Sequence, residues 1–185
     1  MSCRSDLRRW LLPLLVAAAV LLTGCSSSGS GGESGPPAFT LAQLKDLLVT
    51  APEAGLTGYQ ARTPDGTQQS HTSTASRDFE VADAAGLVAV SLIASTNAAN
   101  ARAVVLVQAH ILKSDLRSSS QRSVPLGHNG VEYAGTARIE KSREVDVVFA
   151  EGPVVVMVMA LATTLSPSAV EAVARAQDGK LRKAA

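Results

Sequence analysis

Residues 145–161 read VDVVFAEGPVVVMVMAL, and this stretch decides the fold. Two runs rich in β-branched residues, Val145–Ala150 and Val154–Leu161, flank Glu151-Gly152-Pro153, a turn-forming triplet. Runs of six to eight such residues around a Gly-Pro break predict a β-hairpin. Along the second run Val155, Met157, Met159 and Leu161 fall on one face, because side chains alternate along a strand.

Upstream, Val131, Tyr133, Gly135, Ala137 and Ile139 alternate with Glu132, Ala134, Thr136, Arg138 and Glu140. That period of two predicts a strand with one buried face, entered through a tight turn at Asn129-Gly130. The Ser-rich segment 118–123 before it reads as a loop. Leu87–Ala94 is a continuous apolar run, predicting a strand buried on both faces. Ser95-Thr96-Asn97 supplies N-cap candidates for a helix reaching about Ser114, with Ala101, Val104, Val105, Gln108, Ile111 and Leu112 at helical spacing.

At the other end, Ser166-Pro167 opens a terminal helix, with Ser as N-cap and Pro where a missing N–H costs nothing. Val170, Val173, Ala174 and Leu181 give it an apolar stripe, and Lys180, Arg182 and Lys183 suit its C-terminus. Thr40-Leu41-Ala42-Gln43 has the capping-box pattern and predicts a short helix over 41–49, stopped by Pro52 and Gly55. A short strand is expected at Tyr59–Thr63, a turn at Pro64-Asp65-Gly66 and another strand near Arg77–Ala82. The reading leaves 64–78 open between ordered structure and a mobile loop.

The resulting order, α, β, β, β, α, β, β, β, α, predicts an α+β fold. Consecutive strands at its end favour an antiparallel sheet of five to six strands with helices packed mainly on one face. Residues 38–185 suffice for a single globular domain.

The N-terminus carries an address. Arg4, Arg8 and Arg9 precede a run from Leu11 to Leu22 that is apolar apart from Pro13. A spanning helix needs about 20 apolar residues, so this run matches a signal-peptide core instead. It ends Leu22-Thr23-Gly24-Cys25, which resembles the bacterial lipobox. That resemblance implies removal of residues 1–24, lipidation of Cys25 and anchoring on the extracytoplasmic face of the cell membrane. Two acyl chains make such an anchor stable where one is marginal. Arg8-Arg9 leaves the export route open between the general and the twin-arginine pathways. Residues 25–37, from the lipidated Cys25 through SSSGSGGESGPP, read as a flexible Gly/Ser linker.

Loss of residues 1–24 removes three of 17 basic and one of 16 acidic residues, leaving a near-neutral chain. This excludes the basic stripe that nucleic acid requires and a polybasic patch for anionic lipid. Cys3 departs with the leader and Cys25 takes the lipid, so the domain is expected to hold neither a disulfide nor a thiol nucleophile. Trp10, the only tryptophan, departs as well.

Candidate chemistry is sparse. His71, His110 and His128 lack zinc-ligand spacing. Glu140, Glu144 and Asp146 could approach as paired carboxylates do, but interleaved Lys141 and Arg143 favour a solvated mixed-charge turn. No serine lies in a nucleophile elbow. Met157 and Met159 could line a pocket for an apolar ligand, although the plainer expectation is that they fill core gaps. No catalytic, metal or cofactor residue is assigned.

The strand–helix step VAVSLIAS…NAANARAVVLVQAHILKS and the segment VPLGHNGVEYAG…VDVVFAEGPVVVMVMAL, within about 85–185, resemble small actinobacterial lipoproteins with a PsbP-like or kinase-sensor-like α+β domain. The resemblance implies a non-catalytic module at the cell envelope, sensor-like, recognising a protein or a cell-wall component. The alternative is a carrier of a lipid or other apolar small molecule.

Overall fold

The computed structural model describes residues 35–81, 86–139, 141–162 and 164–184. In chain order the elements are α1 (Leu41–Leu47), β1 (Tyr59–Ala61), β2 (Asp65–Gln68), β3 (Ser73–Val81), β4 (Leu87–Ala94), α2 (Ala98–Asp115), β5 (Leu116–Ser123), β6 (His128–Ala137), β7 (Arg143–Glu151), β8 (Val154–Leu161) and α3 (Pro167–Ala184). The eight strands form one antiparallel sheet in the order β1-β3-β4-β8-β7-β6-β5, with β2 pairing beside β3.

The 145–161 hairpin lies at the centre of this sheet. β7 and β8 pair from Glu144↔Leu161 to Glu151↔Val154, and each has a strand on its far side. Both pleat registers of these two strands carry apolar residues, with Glu144 and Asp146 interrupting the second register of β7. From β7, Val145, Val147 and Phe149 enter one core, while Val148 and Ala150 enter the other. From β8, Val154, Val156, Val158 and Ala160 enter the first, and Val155 enters the second. Each such side chain, fully buried, contributes about 1.5–3 kcal/mol if it is Val-sized or larger.

α1 and α3 cover the first face through Leu44, Val170, Val173 and Leu181. α2 lies on the second, over β6, β7 and β8, through Ala101, Val105, Ala109 and Leu112. The α+β class and the antiparallel sheet are as the sequence predicts, with two of the three described helices on one face.

The strand count exceeds the expected five to six for two local reasons. β5 (LRSSSQRS) occupies the stretch read as a Ser-rich loop. It is an edge strand whose only buried residue is Leu116, held to β6 by backbone pairing, so no apolar alternation marks it. A bulge between Arg117 and Ser120, with Ser118 at φ 50°, breaks its register. Bulges and charges of this kind protect an exposed edge from adventitious pairing. β2 replaces the turn expected at Pro64-Asp65-Gly66 and pairs with β3, which begins at Ser73. The open question over 64–78 thus resolves as an ordered hairpin. Gly66 is required there, because a Cβ would lie 2.2 Å from the Thr74 carbonyl oxygen.

Asn129-Gly130 is a bulge inside β6, where the register shifts between His128 and Val131. The reversal itself spans 124–127. The capping box at Thr40–Gln43, the Asn97 cap of α2 and the Ser166 cap of α3 all form, with hydrogen bonds of 3.3, 2.9 and 3.2 Å. α1 ends at Leu47 rather than at 49. Among the described residues no helix is long and apolar enough to cross a membrane.

One buried polar latch joins the N-terminal segment to α3. Gln177, fully buried, accepts from the Val49 N–H at 3.0 Å and donates to the Leu47 carbonyl at 2.8 Å. Gln177→Ala leaves a buried amide donor unmatched and should destabilise the protein by about 1–2 kcal/mol in equilibrium urea unfolding. An unchanged midpoint would remove the latch from this description.

Candidate binding site on the open sheet face beside α2

Among the described residues the second face of the sheet is only partly covered. α2 lies over β6–β8, and the β3–β4 side of the same face extends beyond it. Strand register places Ser76, Ser91, Met157 and Val148 in one cross-strand row, and Asp78, Ala89, Met159, Asp146 and Tyr133 in the next. Ser76, Asp78, Ser91, Met157 and Met159 are half-buried. Met157 also packs against the cluster under α2, with Val104 of that helix.

Met157 and Met159 therefore share a face with Val155 and Leu161, as expected. Neither is fully buried, and both lie on this open surface. Thioethers are adaptable enough to accommodate varied apolar shapes.

The polar residues of the face contradict one expectation. Glu144 and Asp146 do not belong to a solvated turn: both are on β7, pointing to the α2 side, with exposures of 7% and 1%. Glu140 lies outside the described residues. Lys141 and Arg143 are exposed, and Arg143 is engaged instead with the Leu165 carbonyl at 3.1 Å.

Among the described residues no N–H donor reaches either Oδ of Asp146, and the one polar group close enough to share a hydrogen bond with its carboxyl is that of Glu144. Burial pushes its carboxyl well above the usual carboxylate range, and the charge of Glu144, a hydrogen bond with Glu144 and the charge of Asp115 push it the same way. Two adjacent carboxyls in a low-dielectric site cannot both ionise cheaply, which is the physical cause of the raised Asp146 carboxyl. Tyr133, the cross-strand neighbour of Asp146, has its phenol raised by burial as well.

A different cluster occupies the first face. Arg122 of β5 forks onto Glu132 of β6 at 2.8 Å through two nitrogens and reaches Glu171 of α3 at 2.6 Å, while Arg175 closes on Glu171. These contacts lower the Glu171 carboxyl and raise the Arg122 guanidinium further. The charges are mutually satisfied, which makes the group a clamp between the sheet edge and α3.

The three histidines stand apart: His71 in the β2–β3 turn, His110 on α2 and His128 at the start of β6, all exposed. Among the described residues no three His, Cys, Asp or Glu side chains are placed to hold a metal ion. The lipobox residues Leu22, Thr23 and Gly24, and the lipidation candidate Cys25, lie outside the described residues.

The sequence did contain a signal for the buried acids. Asp146 interrupts an otherwise apolar run of the same kind as Leu87–Ala94, whose pattern predicts burial on both faces. Applying the same reading to 145–150 places Asp146 inside, whereas the neighbouring Glu144, Arg143 and Lys141 drew it toward a solvated turn.

No protein-family model matches the chain, and no curated protein does. Among solved structures it is similar to the extracellular domain of PknH from Mycobacterium tuberculosis, at 16% identity and a TM-score of 0.61. The likeness covers 80% of this chain and 99% of that one. At such identity the likeness speaks for the fold alone: this chain has an α+β fold similar to that of the PknH extracellular domain.

Proposed function

We propose that the protein is an exported, lipid-anchored, non-catalytic binding module of the cell envelope, recognising a protein or cell-wall component on the open sheet face beside α2. The observation that carries this reading is the likeness to an extracellular domain over nearly its whole length. The Leu22-Thr23-Gly24-Cys25 motif and the Gly/Ser linker supply a compatible address and tether. The half-buried Ser91, Met157 and Met159 offer the contact surface.

Cys25→Ser should move the protein from the membrane fraction to the soluble extracytoplasmic fraction, since the lipid is the anchor in this account. Retention of that variant on membranes after a carbonate wash would refute the anchor. A photo-crosslinking residue at Ser91 should form adducts in intact cells that the same residue at Lys183, on the far end of α3, does not. Equal labelling from both positions would refute the assigned face.

The half-exposed methionines also favour a second reading, carriage of an apolar small molecule. A stoichiometric apolar ligand in the native mass spectrum, lost on denaturation, distinguishes it.

A further inference from the structure

We infer that the end of the sheet at the β6–β7 turn is a docking surface for an acidic segment of a partner protein, one whose carboxylates flank an apolar side chain. The inference goes beyond the open face beside α2 and is carried by different residues.

Segments distant in sequence bring five cations to this end. Arg117 of β5, Thr136 of β6 and Arg143 of β7 lie in one cross-strand row. At ordinary strand spacing the two arginine backbones are about 10 Å apart. Arg138 follows β6, where its backbone N–H donates to the Asp115 carbonyl at 3.0 Å and its Nε to the Ser114 carbonyl at 2.6 Å. These bonds set it beside the last turn of α2, which carries Lys113. Lys141 closes the turn by donating its N–H to the Ala137 carbonyl at 3.0 Å. All five are exposed, and among the described residues none of them forms an ion pair. Arg138 and Arg143 meet backbone carbonyls, whereas Arg62, Arg122 and Arg182 elsewhere are each matched to carboxylates. Asp115 is the exposed acid beside the five, so cations outnumber acids here among the described residues. At the tip of the turn Ile139 is 62% exposed, one of two large apolar side chains so exposed among the described residues.

An apolar side chain ringed by cations has the anatomy of a protein-binding surface, an anchor within a polar rim. The rim selects carboxylates, and the isoleucine calls for an apolar counterpart that a plain polyanion lacks. The entry of the chain argues against a bilayer as occupant. The Gly35 carbonyl lies 3.1 Å from His71 in the β2–β3 turn, and the Ala38 N–H donates to the Ser95 carbonyl at 3.0 Å. Strand register puts both contacts at the opposite end of the sheet, level with Glu151 of β7. Along that strand the separation from Arg143 is about 26 Å. Any anchor upstream of Gly35 therefore joins the domain at the end remote from Ile139.

The test is an NMR titration of the intact protein with a capped pentapeptide, a leucine flanked by two glutamates on each side. Its glycine-centred and lysine-flanked analogues, and vesicles of anionic phospholipid, serve as comparators. Saturable amide shifts are expected at 113–117 and 138–143. Affinity should fall by at least about threefold on raising salt to about 0.5 M. Ile139→Ser should weaken binding by at least about fivefold. The double variant Arg117→Gln, Lys141→Gln should weaken it by about three- to tenfold. These side chains are exposed, so the variants should fold, and unchanged amide shifts in both cores check that they do. No saturable shift at millimolar peptide, equal binding of either analogue, or unchanged affinity in either variant would overturn the inference. Vesicle binding that the same variants abolish would also overturn it, because the surface would then be a membrane contact. None of these results bears on the membrane partition of Cys25→Ser or on crosslinking from Ser91.

Discussion

Phe149→Ala should destabilise the protein by about 3–5 kcal/mol, the usual cost of truncating a buried aromatic where the surroundings cannot collapse into the space. Phe149 is fully buried on β7, the central strand of the 145–161 hairpin, and faces the core shared with α3. Its ring also borders the 124–127 reversal: a Cβ at Gly127 would lie 2.9 Å from Phe149 Cδ2 and 2.2 Å from the Ala150 carbonyl oxygen. Strand, helix and reversal thus converge on one side chain. A domain of this size has about 5–15 kcal/mol of stability in total. The expected observation is a large drop in the urea midpoint with an unchanged slope. A loss under 1 kcal/mol would mean that the first core is not organised around this strand.

Asp146→Asn is the second large effect, and its sign is opposite. The carboxyl of Asp146 is raised in the folded protein, so the native state holds a proton that the unfolded chain releases near the ordinary aspartate value of about 3.9. Stability linked to that proton is fully present below the unfolded value and is lost as pH rises toward the folded one, at up to about 1.4 kcal/mol per unit. Asparagine has the shape of the protonated acid and nothing to ionise. The variant should match the parent near pH 3 and exceed it by about 1–3 kcal/mol at neutral pH, the range typical of an unmatched buried polar group. Parallel stability curves for the two proteins across pH 4–7 would mean that Asp146 titrates normally.

The sequence announces the elements whose burial is two-sided or whose caps are local. Leu87–Ala94 and Val154–Leu161 could be read as strands because few polar residues interrupt them. α1, α2 and α3 could be placed because Thr40, Asn97 and Ser166 each cap through a bond within three residues. β5 and β2 stayed hidden for a common reason: an edge strand owes its state to the partner's backbone, and LRSSSQRS or DGTQ carries no trace of that partner. The site was half legible. Met157 and Met159 were correctly set on one face from strand periodicity alone. Asp146 was misplaced because the charges before it are local in sequence, whereas the α2 helix that helps bury it comes from some thirty residues upstream. Its burial follows from tertiary packing, which overrides neighbouring charge.

The lipid address rests on different residues from the site, and the two are tested separately. What the site and its pH behaviour share is the buried Asp146 carboxyl, raised by burial and by the neighbouring Glu144. Carbon-detected NMR titration of the side-chain carboxyls measures it directly. The account predicts that the Asp146 carboxyl carbon shifts only at a pH well above the ordinary aspartate range, with Glu144 responding in the same transition. A midpoint for Asp146 at the ordinary value, independent of Glu144, would contradict it.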